Sequence, residues 1–345
     1  SQLRSEEERV LRWEMGVEFP LKGWVWHDDV QFARVMDEAE SDYAFTGNSP
    51  YGLDGQVSKY PFGVVSGDGR SVVLETDISE PRIFQIVAKP AAERLAVVYD
   101  VALSPKTRKF PGEATFHTSF RVAQGKGGNP FREELVHFYS RNPEVYERRP
   151  ERVGLWMPFS DISRIPEPED FGFGYFEKGG ALGKDVDFSH EMGVLTLVYT
   201  EPWLYWLPMP GGLERTPEAA LALMRRLAVG GTAKANEFAS GGLIGAVRSA
   251  EGERQITFQD VPWNSGARME VSTDPELPIR EDAPVNRAMA EFDFMAEQIA
   301  YEKVDGIYLD SLSAMFLIDY NPEAMAVTEY PATFTREELL PGLAT

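Results

Sequence analysis

The segment 304–311 (Val-Asp-Gly-Ile-Tyr-Leu-Asp-Ser) constrains the fold of this chain more than any other stretch. Residues 307–309 are β-branched, aromatic and aliphatic, as in a short buried strand, and Asp310 closes that strand. The stretch 288–301, just before it, has a helical pattern. Helix, strand and then acid is the order of a β/α unit in a parallel barrel, whose catalytic side chains follow the C-terminal ends of the strands.

A structural role for the same residues is the alternative. Asp310 or Ser311 is a suitable cap for a helix beginning at Leu312, because Asp and Ser are both favoured caps. The catalytic interpretation is favoured because several acids recur at similar positions along the chain.

Length and charge narrow the class of protein. At 345 residues the chain is long enough for two domains with substantial cores. It holds 34 lysines and arginines against 55 aspartates and glutamates, a net charge of −21. That charge repels phosphate backbones and anionic lipid surfaces, so neither nucleic acid nor membrane is an expected partner. No apolar run is long enough to span a bilayer, and residues 1–14 are too polar for a secretory signal.

The chemistry of metal and thiol sites is poorly represented. With no cysteine, disulfides, thiolate metal sites and cysteine nucleophiles are ruled out. The four histidines, His27, His117, His137 and His190, do not share the close spacing of a zinc motif. A transition-metal enzyme is therefore not expected, no cofactor is predicted, and the compartment stays undetermined.

Residues 1–123 are predicted to form an antiparallel β-sandwich, with an N-terminal part of uncertain structure. Short strands separated by turns and without intervening helices are expected at 62–65, 71–76, 82–88, 94–101 and 115–122. In the N-terminal part, residues 4–12 are predicted as a charged surface helix. The cluster at 24–29 is assigned either to the sandwich or to a segment reaching over the next domain. Residues 124–130, rich in glycine, are predicted to be a linker.

Residues 131–345 alternate between helical and strand patterns, as in the first part of a (β/α)8-type barrel. Helices are expected at 131–139, 143–148, 216–228 and after 284, a small hairpin at 248–257, and strands at 154–159, 171–176, 193–200, 267–272 and before Asp310. This gives about five strands, against the eight of a closed barrel. Either the chain is an N-terminal fragment of a longer protein, or a partner chain supplies the missing strands.

Aromatic residues recur beside acids or amides at the predicted strand ends and in the loops after them. Aromatic faces pack against the C–H faces of a pyranose, and carboxylates and amides bind its hydroxyls. For any single tryptophan, ordinary packing is the commoner explanation, but the group favours a sugar site. The predicted substrate-binding residues are Trp156, Asp161, Tyr175, Glu177, Trp203, Trp206, Trp263, Asn264 and Tyr308.

Cleavage of a glycosidic bond needs two carboxyl groups, one as nucleophile or base and one as acid. Asp310 is the predicted nucleophile, since a solvated aspartate at a strand end is ionised at neutral pH. Glu201 is the predicted acid, because Trp203 and Tyr205 are close enough in sequence to desolvate it. Alternatively, Glu201 binds substrate hydroxyls and the acid lies on a later strand. Weaker candidates, in contexts typical of turns and caps, are Asp161, Asp274 and Asp319.

A sandwich followed by a barrel with the strand Asp-Gly-Ile-Tyr-Leu-Asp at 305–310 resembles the retaining glycoside hydrolases of the α-galactosidase and α-glucosidase superfamily. The pieces 154–159, 170–173 and 198–202 are similar to those of poorly characterised bacterial barrel proteins that carry the same sandwich. The resemblance implies hydrolysis of glycosidic bonds with retention of configuration, and it implies a role for Asp310 alone, as the nucleophile.

Two other functions stay open. One is a non-catalytic carbohydrate-binding protein whose barrel cleft has kept its aromatic residues but lost a complete acid pair. The other, a metal-dependent sugar lyase or isomerase, is disfavoured by the scarcity of histidine and lysine at the strand ends. For both the glycoside hydrolase and the carbohydrate-binding protein, the expected ligand is an oligosaccharide or glycoside. The position of the second carboxylate distinguishes these two functions.

Overall fold

The computed structural model describes residues 1–37, 42–79, 81–124, 127–147, 152–178, 184–230, 233–311 and 317–344. Across these ranges the chain is strand-rich, with seven α-helices and several sheets. It divides into two compact units, one made of residues 1–147 and 317–344, the other of the described residues between 152 and 311. None of the helices described is long and apolar enough to cross a membrane.

Short strands make up most of residues 1–124. In chain order they are β1 (Gln2–Arg4), β2 (Arg9–Glu18), β3 (Val25–His27), β4 (Ala33–Val35), β5 (Tyr43–Ala44), β6 (Thr46–Asn48), β7 (Gln56–Ser58), β8 (Phe62–Gly67), β9 (Arg70–Thr76), β10 (Ile83–Lys89), β11 (Arg94–Leu103), β12 (Glu113–Thr115) and β13 (Thr118–Gln124). The strands predicted between residues 62 and 122 are confirmed by β8 to β11 and β13.

Two antiparallel sheets form the body of this unit, with strand orders β2-β11-β10-β5 and β13-β9-β8-β3-β4. Residues from both sheets share one apolar core: Trp26 and Val65 come from the second sheet, and Leu95 and Val97 from the first. Because alternate residues of a strand point to opposite faces, one face of each sheet is buried in this core. Of the two alternatives for the cluster at 24–29, the structure shows membership of the sheet, since residues 25–27 form β3.

The charged helix predicted at 4–12 is wrong. Arg9–Glu18 is a strand that pairs with β11 along its whole length. Its side chains Trp13, Met15 and Val17 pack against the core cluster at every second position, which is the period of a strand. The many charges of this segment lie between the apolar residues and do not form one face of a helix.

Two helices follow in the first unit, α1 (Pro130–Arg141) and α2 (Pro143–Tyr146). The side chain of Asn129 caps α1 by accepting a hydrogen bond from the Arg132 N–H at 3.0 Å. Phe131 and Phe138 of α1 are buried in a cluster with Phe62 of β8. The helices expected at 131–139 and 143–148 are therefore present. Of the predicted linker, residues 125 and 126 lie outside the described residues.

The second unit combines two sheets and four helices. In chain order its strands are β14 (Leu155–Pro158), β15 (Phe173–Lys178), β16 (Leu195–Thr200), β17 (Leu204–Pro208), β18 (Ile256–Val261), β19 (Asn264–Glu270) and β20 (Gly306–Leu309), and its helices are α3 (Lys184–Glu191), α4 (Pro217–Gly230), α5 (Ala233–Gly245) and α6 (Arg287–Glu302). A parallel sheet has the order β14-β15-β16-β20, and an antiparallel sheet has the order β17-β19-β18.

The parallel sheet has one strand fewer than expected among the described residues. The strand predicted at 267–272 overlaps β19, which pairs antiparallel with β17 and β18. Only Pro262 and Trp263 separate β18 from β19, and strands joined by so short a turn must be antiparallel. The small hairpin predicted at 248–257 is present in its first part, where Arg248 pairs antiparallel with Arg254 and the Ser249 N–H donates to the Glu253 carbonyl at 2.8 Å. Residues 256 and 257 belong instead to β18, which forms a second hairpin with β19.

The C-terminal segment returns to the first unit with β21 (Ile318–Asp319), α7 (Pro322–Val327) and β22 (Leu343–Ala344). It is joined there by hydrogen bonds such as that from the Gly52 N–H to the Phe334 carbonyl at 2.9 Å. The two units therefore divide the chain differently from the predicted boundary at 124–130. The difference arises because α1 packs on β8, and residues 317–344 bond to the segments around Gly52 and Lys109 of the first unit.

Candidate active site

The register of the parallel sheet brings aromatic and acidic side chains onto one face. Trp156 of β14 lies beside Tyr175 of β15, and Tyr199 of β16 lies beside Tyr308 of β20. Because residues two apart in a strand share a face, Glu177 lies on the face of Tyr175, and the residue that follows β20, Asp310, continues the face of Tyr308. The carboxyl ends of the four strands therefore carry a band of aromatic rings with the carboxyl groups of Glu177 and Asp310, and Glu201, two residues after Tyr199, adds another.

Asp310 lies at the carboxyl end of β20, where its backbone N–H donates to the Thr200 carbonyl at 3.0 Å. The hydroxyl of Tyr199 donates to Oδ2 of Asp310 at 3.0 Å, and that of Tyr308 donates to Oδ1 at 3.1 Å. Burial raises the pKa of Asp310, but hydrogen bonds from the Ser311 backbone and from the three neighbouring hydroxyls outweigh it. The net pKa lies below its ordinary value, so the carboxylate is ionised at neutral pH.

The two tyrosine hydroxyls are fixed as donors. Burial and the negative charges of Glu201 and Asp310 raise the pKa of Tyr199. Burial, followed by the hydrogen bond to Asp310, raises the pKa of Tyr308. Each phenol therefore keeps its proton and directs it at the Asp310 carboxylate.

Glu201 follows β16 directly, and both of its carboxylate oxygens accept hydrogen bonds. The indole N–H of Trp206 donates to Oε2 at 2.9 Å, and the hydroxyl of Ser311 donates to Oε1 at 2.6 Å. The same Ser311 hydroxyl oxygen lies 3.4 Å from Oδ2 of Asp310. The nearest oxygens of the two carboxylates are therefore separated by no more than the sum of these two distances.

Glu177 is a third carboxyl group on this face, and it is only 4% exposed. The indole N–H of Trp156 donates to its Oε2 at 2.7 Å. Burial raises the pKa of Glu177, the hydrogen bond from Trp156 opposes this rise, and the negative charge of Asp310 adds to it. The net pKa lies above its ordinary value, so Glu177 holds a proton more readily than a solvated glutamate.

The aromatic rings of the face contact one another in series. The ring of Trp156 lies 5.8 Å from that of Tyr175 and 4.9 Å from that of Tyr308. The ring of Tyr199 lies 5.2 Å from Phe159 and 6.0 Å from Tyr308. Trp156 and Phe159 remain 38% and 60% exposed, so rings held by their neighbours still offer apolar surface to a ligand.

The antiparallel sheet places two further tryptophans beside Glu201. Trp206 of β17 is held through its N–H to Glu201, and the guanidinium of Arg268 lies 5.7 Å from its ring centroid. Trp263, in the turn between β18 and β19, meets Trp206 edge to face at 6.0 Å. Asn264, the next residue, is buried and donates to the Ala267 carbonyl at 3.3 Å, so it stabilises the turn.

A buried arginine supports the backbone around Glu201. Arg287, the first residue of α6, donates from Nε to the Pro202 carbonyl at 2.7 Å and from Nη2 to the carbonyls of Leu204 and Glu201 at 2.6 and 3.2 Å. Its guanidinium also pairs with Glu291 at 2.7 Å, and Glu291 accepts a hydrogen bond from the Thr200 hydroxyl at 2.9 Å. This network fixes the turn that carries Glu201.

Contacts join eight of the eleven predicted site residues to the carboxylates, and the other three are Asp161, Trp203 and Asn264. Those whose contacts join them to the two carboxylate centres are Asp310, Glu201, Glu177, Trp156, Tyr175, Tyr308, Trp206 and Trp263. Asp161 caps a turn instead, accepting from the N–H and the hydroxyl of Ser163 at 2.9 and 2.6 Å. Trp203 lies in the turn before β17, with its indole nitrogen buried. Asn264, as described above, serves its own turn.

Sequence reasoning missed Tyr199, Ser311, Phe159 and Arg287. Tyr199 could have been predicted, because it lies in the strand expected at 193–200, two positions before Glu201, and residues two apart in an extended chain share a face. Arg287 was not, since its partners at 201–204 lie more than 80 residues away in sequence. In the ranges described, no group of three or more histidine, aspartate or glutamate residues is arranged to hold a metal ion.

No family model and no curated protein matches this chain. Solved structures that are similar to it include the α-galactosidase from Thermus thermophilus in complex with p-nitrophenyl α-D-galactopyranoside, with 13% identity, 89% of this chain and 58% of that chain covered, and a TM-score of 0.41. The cycloalternan-degrading enzyme from Trueperella pyogenes has 14% identity, coverage of 89% and 44%, and a TM-score of 0.42. The α-N-acetylgalactosaminidase from Bifidobacterium bifidum in a GalNAc complex has 11% identity, coverage of 98% and 57%, and a TM-score of 0.46. These neighbours are glycoside hydrolases, and this chain spans about half of their length.

Proposed function

We propose that this protein is a carbohydrate-active enzyme that hydrolyses glycosidic bonds with retention of configuration. Asp310 is the nucleophile and Glu201 the proton donor. The observation that carries the proposal is the pair of carboxylates joined by the Ser311 hydroxyl, with Asp310 held ionised by two tyrosine hydroxyls. An acid pair beside exposed aromatic rings is the arrangement that glycoside cleavage requires.

The environment of Asp310 suits a nucleophile. Its pKa lies below the ordinary value, so the attacking oxygen carries charge at neutral pH. In the first step an oxygen of Asp310 bonds to the anomeric carbon while the bond to the leaving oxygen breaks, and Glu201 gives that oxygen its proton. In the second step Glu201 takes a proton from water, which attacks the same carbon and releases Asp310.

The short distance between the carboxylates supports retention. Retaining enzymes have carboxyl groups about 5 Å apart, whereas inverting enzymes leave about 6.5 Å or more to admit a water molecule. The Ser311 hydroxyl oxygen lies 2.6 Å from one oxygen of Glu201 and 3.4 Å from one oxygen of Asp310, so the two carboxylates are neighbours, which favours the shorter spacing.

Glu177 is the second candidate for the proton donor. Its carboxyl group has the raised pKa that an acid needs at neutral pH, because it is buried and faces the charge of Asp310. We assign it to substrate binding, because Glu201 extends beyond the strand end and Glu177 lies within β15. The aromatic rings of Trp156, Tyr175 and Tyr308 complete the surface proposed for the sugar ring.

For the fold, we propose a β-sandwich followed by part of a (β/α)8-type barrel. The two antiparallel sheets with a common core support the first element, and four parallel strands with acids at their carboxyl ends support the second. A closed barrel of this kind has eight strands, so we propose that a further segment or a partner chain supplies the others. The ligand is a glycoside or oligosaccharide.

The proposal is tested with a panel of aryl glycosides and the matched variants Glu201→Gln and Glu177→Gln. If Glu201 is the donor, its variant should keep most of its kcat/KM on p-nitrophenyl glycosides, whose leaving group needs little protonation, while kcat falls because water loses its base in the second step. On substrates with a sugar as leaving group it should lose about 10²- to 10⁴-fold. Glu177→Gln should lower the turnover of both kinds of substrate by a similar factor. A loss in Glu177→Gln that is confined to substrates with a sugar leaving group would assign the acid role to Glu177. Binding without cleavage of any substrate would favour the non-catalytic carbohydrate-binding alternative.

A further inference from the structure

We propose that Trp263 and Trp206 form a second sugar-binding subsite beside Glu201, so that the substrate is an oligosaccharide of at least two sugar units. This inference rests on the proposed function for the first subsite, at Asp310. The second subsite takes the sugar on the other side of the cleaved bond. It would bind that sugar whether or not the protein cleaves it.

Trp263 is the most exposed of the seven tryptophans. It occupies the two-residue turn between β18 and β19 and is 68% exposed. A single exposed ring is common on protein surfaces, so the proposal depends on the contacts of this ring and not on its exposure alone. The turn itself is short and paired on both sides, from Val261 opposite Asn264 onward, which holds the ring on a rigid base.

Contacts to Trp206 fix this ring relative to the carboxyl group. The planes of Trp263 and Trp206 meet at 84°, with their centroids 6.0 Å apart. Trp206 is fixed in turn, because its N–H donates to Glu201 and Arg268 packs over its ring. The chain of contacts runs from the Glu201 carboxylate through the indole of Trp206 to that of Trp263, so one ring separates the exposed tryptophan from the proposed proton donor.

Polar groups lie on the two strands that flank the Trp263 turn. Arg215 forms a bidentate pair with Asp260 of β18, at 2.8 and 2.5 Å, and Ser265 of β19 donates to the same carboxylate at 2.6 Å. Asp260 and Arg215 are both solvent-exposed, with side-chain exposures of 67% and 38%. Hydroxyl groups of a sugar find donors and acceptors here, whereas the core of a protein interface is depleted of charge.

The test is the binding of sugars to the full chain carrying Asp310→Asn, which prevents turnover. Calorimetry would compare galactose with melibiose and raffinose, and glucose with isomaltose and isomaltotriose. In at least one series, the oligosaccharides should bind about tenfold more tightly than the monosaccharide. Adding Trp263→Ala should remove most of that difference and leave the monosaccharide affinity unchanged, while Trp263→Phe should keep part of it. Phe292→Ala, which removes an exposed ring of α6, is the matched control and should change neither.

Four results would overturn the subsite. They are oligosaccharides that bind no more tightly than monosaccharides, an unchanged oligosaccharide affinity in Trp263→Ala, an equal loss for both sugar sizes, and the same loss in the Phe292 control.

If Trp263→Ala changed only the association state in sedimentation, the ring would belong to a protein interface. If the parent protein cleaves no glycoside but binds oligosaccharides tightly through Trp263, the proposed hydrolase activity is wrong and the subsite is supported. If the parent cleaves glycosides and Trp263→Ala has no effect, the hydrolase activity is supported and the subsite is wrong.

Discussion

The Ser311 hydroxyl donates to Glu201 at 2.6 Å and thereby joins the carboxyl ends of two adjacent strands that are 110 residues apart in sequence. Ser311 has a backbone φ of 62°, in the left-handed region that residues with a Cβ atom rarely adopt. This conformation costs about 1–2 kcal/mol, and such strain recurs at functional sites. We infer that the strain is tolerated because it points the hydroxyl at both carboxylates.

Two substitutions of Ser311 separate the strain from the hydroxyl. Ser311→Ala removes the hydroxyl and keeps the Cβ atom, while Ser311→Gly removes both. The glycine variant should therefore be more stable than the alanine variant by about 1 kcal/mol in urea unfolding. Both should lose turnover to a similar extent, on the order of a hundredfold, because Glu201 loses its orientation. Full activity in the glycine variant would show that the hydroxyl has no role in positioning.

Replacement of Arg287 tests the support beneath Glu201. Arg287→Met leaves three carbonyl groups and the buried Glu291 carboxylate without their donor. Loss of one partner from such a buried network should lower the free energy of unfolding by about 3–5 kcal/mol. The control is Arg225→Met, at an exposed position on α4, which should stay within about 0.5 kcal/mol of the parent. Equal stability of the two variants would contradict the supporting role.

How far the sequence predicts this site depends on the distance between partners along the chain. Asp310 was predictable because one local pattern, helix, strand and acid, specifies its position, and the parallel pairing of β16 with β20 agrees with that pattern. Glu201 and Trp206 are five residues apart, and their hydrogen bond follows a local turn. The Ser311 and Arg287 contacts cross the fold, so no periodicity indicates them.

The wrong predictions have equally local causes. In β2, charged residues lie between apolar ones, and this arrangement is mistaken for the pattern of a charged helix. In β19, the residue pattern predicts a strand but does not indicate whether its neighbours are parallel or antiparallel. Asp161 is a different case: its sequence context is typical of a turn or cap, and in the structure its side chain does cap a turn, while its predicted contact with substrate stays a prediction.

The raised pKa of Glu177 predicts a pH-dependent effect of Glu177→Gln on stability. Burial raises this pKa in the folded protein above the unfolded value of about 4.3, so its contribution to stability is fully present below that pH and is lost as the pH rises through the folded pKa. Glutamine keeps the shape without the charge. Relative to the parent, the variant should therefore gain stability as the pH rises above about 4.3 and through the raised folded pKa of Glu177. If the difference in free energy of unfolding between the variant and the parent stayed constant with pH, or decreased as the pH rose, the raised pKa of Glu177 would be contradicted.

The replacement of Asp310 by asparagine tests the central claim most directly. Asp310→Asn keeps the shape of the side chain and removes the charge that attacks the anomeric carbon. Asparagine is an equally good helix cap, so a purely structural Asp310 predicts nearly unchanged stability and turnover. We expect turnover on any aryl glycoside that the parent cleaves to fall by several orders of magnitude while sugar binding survives. Unchanged turnover in Asp310→Asn would show that this residue is not the nucleophile.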